Sequence, residues 1–242
     1  MSALWVHVES LGAELEANAI VTLSADEARH VTARRLRVGD RLVAFDGAGR
    51  TAEARIESIG RRAVEVCVEA VVQAPAPEAR WVLATAIPKG ERMAVMLPML
   101  TQLAVAVWQP LVLEESAVRD LDVESPRLRR ILVESAKLAR RPWLLEVRPP
   151  CALAALLDGC DAMGGLWFGD REGDTVGIPT DAAIVAIGPE AGFTADEIRR
   201  LQAAKGRAFS LSPHNLRIET AAVAAAAVRI AALRDEPGIS RS

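Results

Sequence analysis

The chain has 242 residues, of which 51% are hydrophobic and 25% charged, and its formal net charge is -3. That length and apolar content support one large globular domain or two modest ones and exclude a disordered or low-complexity chain. The slightly acidic balance excludes a protein that coats polyanions by bulk charge, although it leaves room for a local basic patch.

In chain order, the amino terminus MSALWVHVESLGAELE lacks a basic region ahead of an apolar run and meets Glu9 early, so it does not read as a secretory signal. The expected location is cytoplasmic. Residues up to about Val72 read as short strands and turns: "VTLS", then "RLVAFDGAGRTAEARIESIG" with a turn at Gly47-Ala-Gly49, then the alternating "AVEVCVEAVV". A β-rich module is therefore expected over residues 1–72. Residues 73–80, with Pro75 and Pro77, break the pattern and read as a linker.

Residues 81–242 change texture to apolar strands alternating with helical stretches. "WVLATAI" predicts a strand, Glu91 to Leu103 a helix, "AVAVWQPLVL" a buried strand, and Ser125-Pro126 a helix start with a cap and a first-turn proline. Met93 to Leu113 carries no charged residue and is long enough to cross a bilayer. Its prolines and amides favour a buried helix running into a buried strand, and no membrane span is expected. "LLEV", "GLWFG" and "AAIVAIG" predict further strands. Thr194-Ala-Asp-Glu197 fits a capping box, with Gly206 as the stop of that helix, followed by a strand "AFSL" and an alanine-rich helix from Glu219 to Leu233. The pattern predicts an α/β domain with a mostly parallel sheet covered on both faces. Cys67, Cys151 and Cys160 form no Cys-x-x-Cys pair and leave one over in any disulfide scheme, which points to a reducing compartment and to no metal site.

In open parallel sheets ligands collect at the carboxyl ends of strands, and two unusual loops fall there. The first is Gly188-Pro-Glu-Ala-Gly-Phe193. The second is Leu211-Ser-Pro-His-Asn-Leu-Arg-Ile-Glu-Thr220. Glycines let a ligand approach the backbone directly, and a capped helix start offers unpaired N–H groups. The first loop fits neither a P-loop nor a dinucleotide Gly-x-Gly-x-x-Gly fingerprint.

Together, "IGPEAGF" and "LSPHNLRIETAAVAA" resemble the Gly-Pro-Glu-Gly-Gly-Phe and Leu-Gly-x-Arg-Ile-Leu-Arg-x-Glu-Thr-Ala signatures of the RsmE-type 16S ribosomal RNA uridine N3-methyltransferases, of the SPOUT class. "EARHVTARRLRVGDRLVAFDGAGR" resembles the PUA-like module of that family, and "AIPKGERM" the first strand and helix of its catalytic domain. The resemblance implies a trefoil-knotted domain after a small β-barrel PUA-like domain, a homodimer, S-adenosylmethionine as cofactor and small-subunit ribosomal RNA as substrate. By the same resemblance Gly188, Pro189, Glu190, Gly192, Leu211, Ser212 and Leu216 line the cofactor pocket.

Uracil N3 carries a proton at neutral pH, so the protein must orient the base and help deprotonate it. Glu219 or Glu190 can accept that proton, and Arg217 can stabilise the developing oxyanion of the ring. For RNA, Arg29, Arg34, Arg35 and Arg37 cluster in the first module, with Arg41 nearby, where they can bind phosphate or form a solvated face neutralised by Asp26, Glu27 and Asp40. A second basic group spans Arg127 to Arg141.

Several positions depart from the family pattern. Thr-Glu-Leu-Gly reads Thr101-Gln-Leu-Ala104, and Glu-Gln-Ser-x-Arg reads Glu134-Ser-Ala-Lys-Leu138. The first signature has Ala191 for a glycine, and the second has Ser212, His214 and Asn215 for glycine, arginine and isoleucine. These changes leave a catalytically inactive RNA-binding homologue as the alternative reading. A 2'-O-ribose methyltransferase is disfavoured, because neither Asn18 nor Asn215 begins an Asn-x-Gly-x-x-x-Arg signature.

Overall fold

The computed structural model describes residues 3–12, 18–61, 63–77, 81–158, 165–175, 178 and 182–235. Cys160 and the last linker positions, 78–80, lie outside these residues. The chain divides into two compact units, one of Met1–Glu78 with Val133–Leu144, the other of Ala79–Leu132 with Leu145–Ser242. Residues 133–144 thus group with the leading segment, across the single cut that the prolines suggest.

The first unit contains β1 (Leu4–His7), β2 (Ala19–Thr22), α1 (Ala25–Ala33), β3 (Arg41–Phe45), β4 (Arg50–Ile59) and β5 (Val64–Gln73). Its five strands run in the order β1-β3-β4-β5-β2. On β4 the period-two pattern buries Ala52, Ala54 and Ile56 and exposes the residues between them. α1 interrupts what reads in sequence as strands and turns: Ser24 caps it by accepting from the Glu27 backbone N–H at 3.3 Å, and Asp26 and Glu27 suit its first turn.

Residues 133–144 are fixed onto this unit at two places. Gly49, at φ +92°, leaves its missing Cβ where the Trp143 indole lies 2.2 Å away, and Gly49 N–H donates to the Pro142 carbonyl at 3.0 Å. At the other place Lys137 Nζ donates to Glu27 at 2.9 Å and Glu134 at 3.0 Å, and lies 3.0 Å from His30 Nδ1. An ammonium has no acceptor capacity, so His30 Nδ1 must be the acceptor and the ring proton sits on Nε2. The ligand atoms of Glu27, His30 and Glu134 lie within 4.8 Å of one another, a spacing that suits a metal, with the ammonium in hydrogen-bond reach of all three.

The second unit runs β6 (Val82–Ala86), α2 (Arg92–Gln102), β7 (Val107–Val112), α3 (Pro126–Ala139), β8 (Glu146–Val147), β9 (Cys151–Ala152), α4 (Leu153–Asp158), β10 (Gly165–Asp174), β11 (Ala182–Ile187), α5 (Ala195–Ala203), β12 (Arg207–Phe209) and α6 (Ile218–Asp235). The later half of α3 belongs to the first unit. The sheet has seven strands, ordered β12-β10-β11-β6-β7-β8 with β9 beside β7, and its pairings are parallel. Both faces are covered: on β6, Leu83 enters one core cluster while Val82 and Ala84 enter the other. That explains why β6 is buried at every position and lacks alternation in sequence. In the core Trp108 Nε1 donates to Thr85 Oγ1 at 2.9 Å, which satisfies two buried polar groups.

Four of the described helices end in the same way without the expected glycine. Arg35, Ala104, Arg140 and Lys205 take left-handed φ values of 56°, 56°, 51° and 58°, and the residue after each donates back into the last turn, as Val105 N–H does to Leu100 at 3.0 Å. Gly206 therefore follows the left-handed position instead of filling it. A Cβ there would stand 2.7 Å from the Leu201 carbonyl oxygen.

Candidate functional site

The loops after β11 and β12 emerge side by side at the carboxyl edge of the parallel sheet, because β10 alone separates the two strands. In the first loop Gly192 N–H donates to the Pro189 carbonyl at 2.8 Å and closes a turn. Thr194 and Glu197 then form a reciprocal capping box that starts α5. Phe193 packs edge-on against Phe168 of β10, at 6.1 Å between ring centroids. The turn is therefore held from both ends. At Gly188 a Cβ would be tight, with Gly192 and Phe193 backbone atoms at 3.2 Å, whereas Gly192 sits at φ +85° with its missing Cβ facing open space.

In the second loop Ser210 N–H donates to the Asp174 carbonyl at 2.9 Å, and His214 N–H donates to Ser212 Oγ at 3.1 Å. α6 follows at once, with the Arg217 carbonyl accepting from Ala221 N–H at 2.9 Å in the cap position.

Between the loops lies a cleft of about 480 Å³, a size common for small-molecule sites. Gly188, Pro189, Glu190 and Gly192 line it from one side, and Leu211, Ser212 and Leu216 from the other. All the residues anticipated around the cofactor are brought together here. Ala191, His214 and Asn215 also line the cleft. Arg217 is exposed at the start of α6 and is not among the lining residues.

Glu219 lies in the first turn of α6, largely buried, and its Oε2 has no hydrogen-bond partner among the described residues. Glu219, like Arg217, is not among the residues that line the cleft, and Arg92, the first residue of α2, lies between it and the lining residue Glu190: Nη1 donates to Glu190 Oε1 at 3.0 Å, and Nε lies 4.0 Å from Glu219 Oε1. Sequence reasoning does not single out Arg92, although it lies in the "AIPKGERM" segment that resembles the family's first catalytic-domain strand and helix.

It also misses the third wall. β10 runs on past its apolar part through Gly169 to Glu172, and these residues line the cleft. Gly173 lets this extension approach β12, since a Cβ there would stand 2.6 Å from Phe209 N. The signal in the sequence is the polar, glycine-bearing continuation "GDREGD" after "GLWF".

In the first unit Arg34, Arg35 and Arg37 are exposed, and none of their guanidinium groups has an ion pair among the described residues. Arg29 pairs with Asp26, and Arg41 approaches Glu53 at 3.6 Å. In the second basic group Arg127 pairs with Glu91 at 2.5 Å, Lys137 sits in its carboxylate nest and burial lowers the pKa of Arg141 to about 10, while Arg129, Arg130 and Arg140 are exposed.

Comparison with known proteins bears on both units. A family profile described as an RNA methyltransferase domain matches residues 74–230, and one described as an RNA methyltransferase PUA domain matches 23–69. Relatives named ribosomal RNA small subunit methyltransferase E are 27% identical in Rickettsia conorii, over 90% of this chain and 92% of that one, and 27% identical in Mycobacterium tuberculosis, over 93% and 90%. Among solved structures, Lpg2936 from Legionella pneumophila, in complex with the bound cofactor SAM, superposes with a TM-score of 0.78 at 26% identity, covering 96% of this chain and 98% of that one. The ribosomal RNA small subunit methyltransferase E of Neisseria gonorrhoeae shares the fold, with a TM-score of 0.81 at 24% identity over 93% and 96% of the chains.

Proposed function

The chain belongs to the RNA methyltransferase family, and we propose that it methylates N3 of a uridine in 16S ribosomal RNA of the small subunit, with S-adenosylmethionine as donor. The observation that carries this reading is the cleft in which the loops after β11 and β12 converge at the sheet's carboxyl edge. The residues present suit the cofactor. Gly192 leaves its Cβ direction open, and Leu211 and Leu216 give an apolar wall. The cofactor supplies a methyl group activated by its positive sulfur.

The chain's own task is to hold the base and take its proton. Glu219 has an acceptor oxygen that no described residue satisfies, so it is assigned the uracil N3 proton. With that proton gone, the N3 lone pair would be free to accept the methyl group that the cofactor would supply. Glu190 stays with the cofactor turn, and Arg217, exposed beside the cleft, is assigned to the ring oxygen or the RNA. Arg34, Arg35 and Arg37, with Arg29 at the margin, are assigned to RNA phosphate.

Transfer of labelled methyl from S-adenosylmethionine into small-subunit RNA, with the modified base mapped by mass spectrometry, tests the reading. Absence of N3-methyluridine refutes it, and absence of cofactor binding as well leaves an inactive RNA-binding homologue. The homodimer and the knotted path belong to the same reading. α2 exposes Val95 and Met99 one turn apart, an apolar strip suited to a second copy. A monomer in sedimentation at micromolar concentration refutes that part. A ribosomal substrate implies the cytoplasm. No helix among the described residues is long and apolar enough to cross a membrane.

A further inference from the structure

Glu190 and Glu219 come from different loops, yet one guanidinium reaches both. Arg92 Nη1 donates to Glu190 Oε1 at 3.0 Å while its Nε faces Glu219 Oε1 at 4.0 Å. The guanidinium is planar, always charged and forked, so it can hold two carboxylates in one relative orientation as an ammonium cannot. Its approach to Glu219 turns Oε1 toward α2. The other oxygen, Oε2, is buried and has no partner among the described residues. A buried acceptor left open costs about 1–3 kcal/mol and calls for an explanation. Here the explanation is that its partner arrives with the substrate.

We propose that Arg92 is a positioning residue for methyl transfer: by clamping Glu190 and Glu219 it holds the open oxygen of Glu219 ready for the uracil N3 proton. This rests on the assignment of N3 methylation above. The clamp is not what shapes the cofactor pocket, because the Pro189 to Gly192 turn is closed by its own backbone hydrogen bond and the α5 capping box. Loss of Arg92 should therefore act on turnover and spare cofactor affinity. Arg92 is itself only partly buried, at 37% side-chain exposure, so its replacement should leave the fold intact.

The test uses the full-length protein with Arg92→Met, Arg92→Lys, Glu219→Gln and the Arg92→Met/Glu219→Gln double variant. Arg92→Met should lower kcat about 100-fold, within the range of a misplaced general base. Its Kd for S-adenosylmethionine by calorimetry should stay within about 3-fold of the parent, and Arg92→Lys should recover part of the rate, since it restores charge but not the fork. If Arg92 acts through Glu219, the double variant should turn over within about 3-fold of Glu219→Gln alone. A readout independent of activity is the carbon-13 carboxylate resonance of Glu219, assigned by its loss in Glu219→Gln, which should move in Arg92→Met. An unchanged kcat in Arg92→Met, losses that multiply in the double variant, or an unmoved resonance overturns the clamp while leaving the methyltransferase reading intact. A parent protein that methylates no RNA overturns both.

Discussion

Replacing Gly192 with valine separates backbone conformation from bulk, because the structure leaves space at this position. Gly192 lies at φ +85°, and a Cβ built there meets nothing within 4 Å. The cost is therefore torsional. A β-branched residue held in that region carries about 1–3 kcal/mol of strain. The loop escapes by relaxing to negative φ, which abandons the 2.8 Å hydrogen bond from Gly192 N–H to Pro189. Cofactor binding must then rebuild the turn against the same strain, so Kd for S-adenosylmethionine should rise roughly 5- to 150-fold, and more where the isopropyl group meets the ligand. Gly192→Ala should give a smaller loss. Because the position is open, the melting temperature should fall by only a few degrees, about 2–4 °C per kcal/mol for a chain of this size. Calorimetry on the folded variant is the assay. An unchanged Kd in Gly192→Val would show that the turn does not face the cofactor.

Changing Arg34, Arg35 and Arg37 together to alanine should weaken RNA binding and flatten its salt dependence by about 0.7–0.9 in slope for each phosphate no longer neutralised, measured by fluorescence titration across salt. Cofactor affinity should stay the same, and an unchanged slope would assign these side chains to a solvated face. Lys137→Met should destabilise the first unit by about 3–5 kcal/mol in urea unfolding, since it strands a carboxylate, Glu27, whose side chain is only 5% exposed. A change under about 1 kcal/mol would show that His30 or water takes over.

The strands of the second unit are legible because β6 and β11 are buried on both faces and read as unbroken apolar runs between glycine and proline signals. The capping box at Thr194 is legible for a local reason, since its residues are neighbours in sequence. α1 is not, because it is short and its capping residue, Ser24, reads equally well as the end of the strand before it. Helix ends mislead where a left-handed Lys205 or Ala104 stands in the place glycine usually takes. At the site, the loop after β11 is marked by its glycines and proline, and the loop after β12 by its resemblance to a family signature. Arg92 and the extension of β10 are not singled out in this way: Arg92 meets Glu190, and the β10 extension lines the cleft, only through the order of strands in the sheet, which no local pattern encodes. Lys137 misleads for a related reason. In sequence it belongs to a basic run, whereas in the structure it is a buried counter-ion to α1.

The discontinuity of the first unit bears on how such modules are inherited. Trp143 fills the space left by Gly49, and Lys137 neutralises Glu27, yet both are encoded far downstream of the strands they complete. A recombination event that exchanges only the leading segment would deliver a recipient sheet with an indole-shaped gap and an unneutralised acid. The two parts of the gene are therefore bound to evolve together, and a successful graft must carry residues 133–144 along with the first 78.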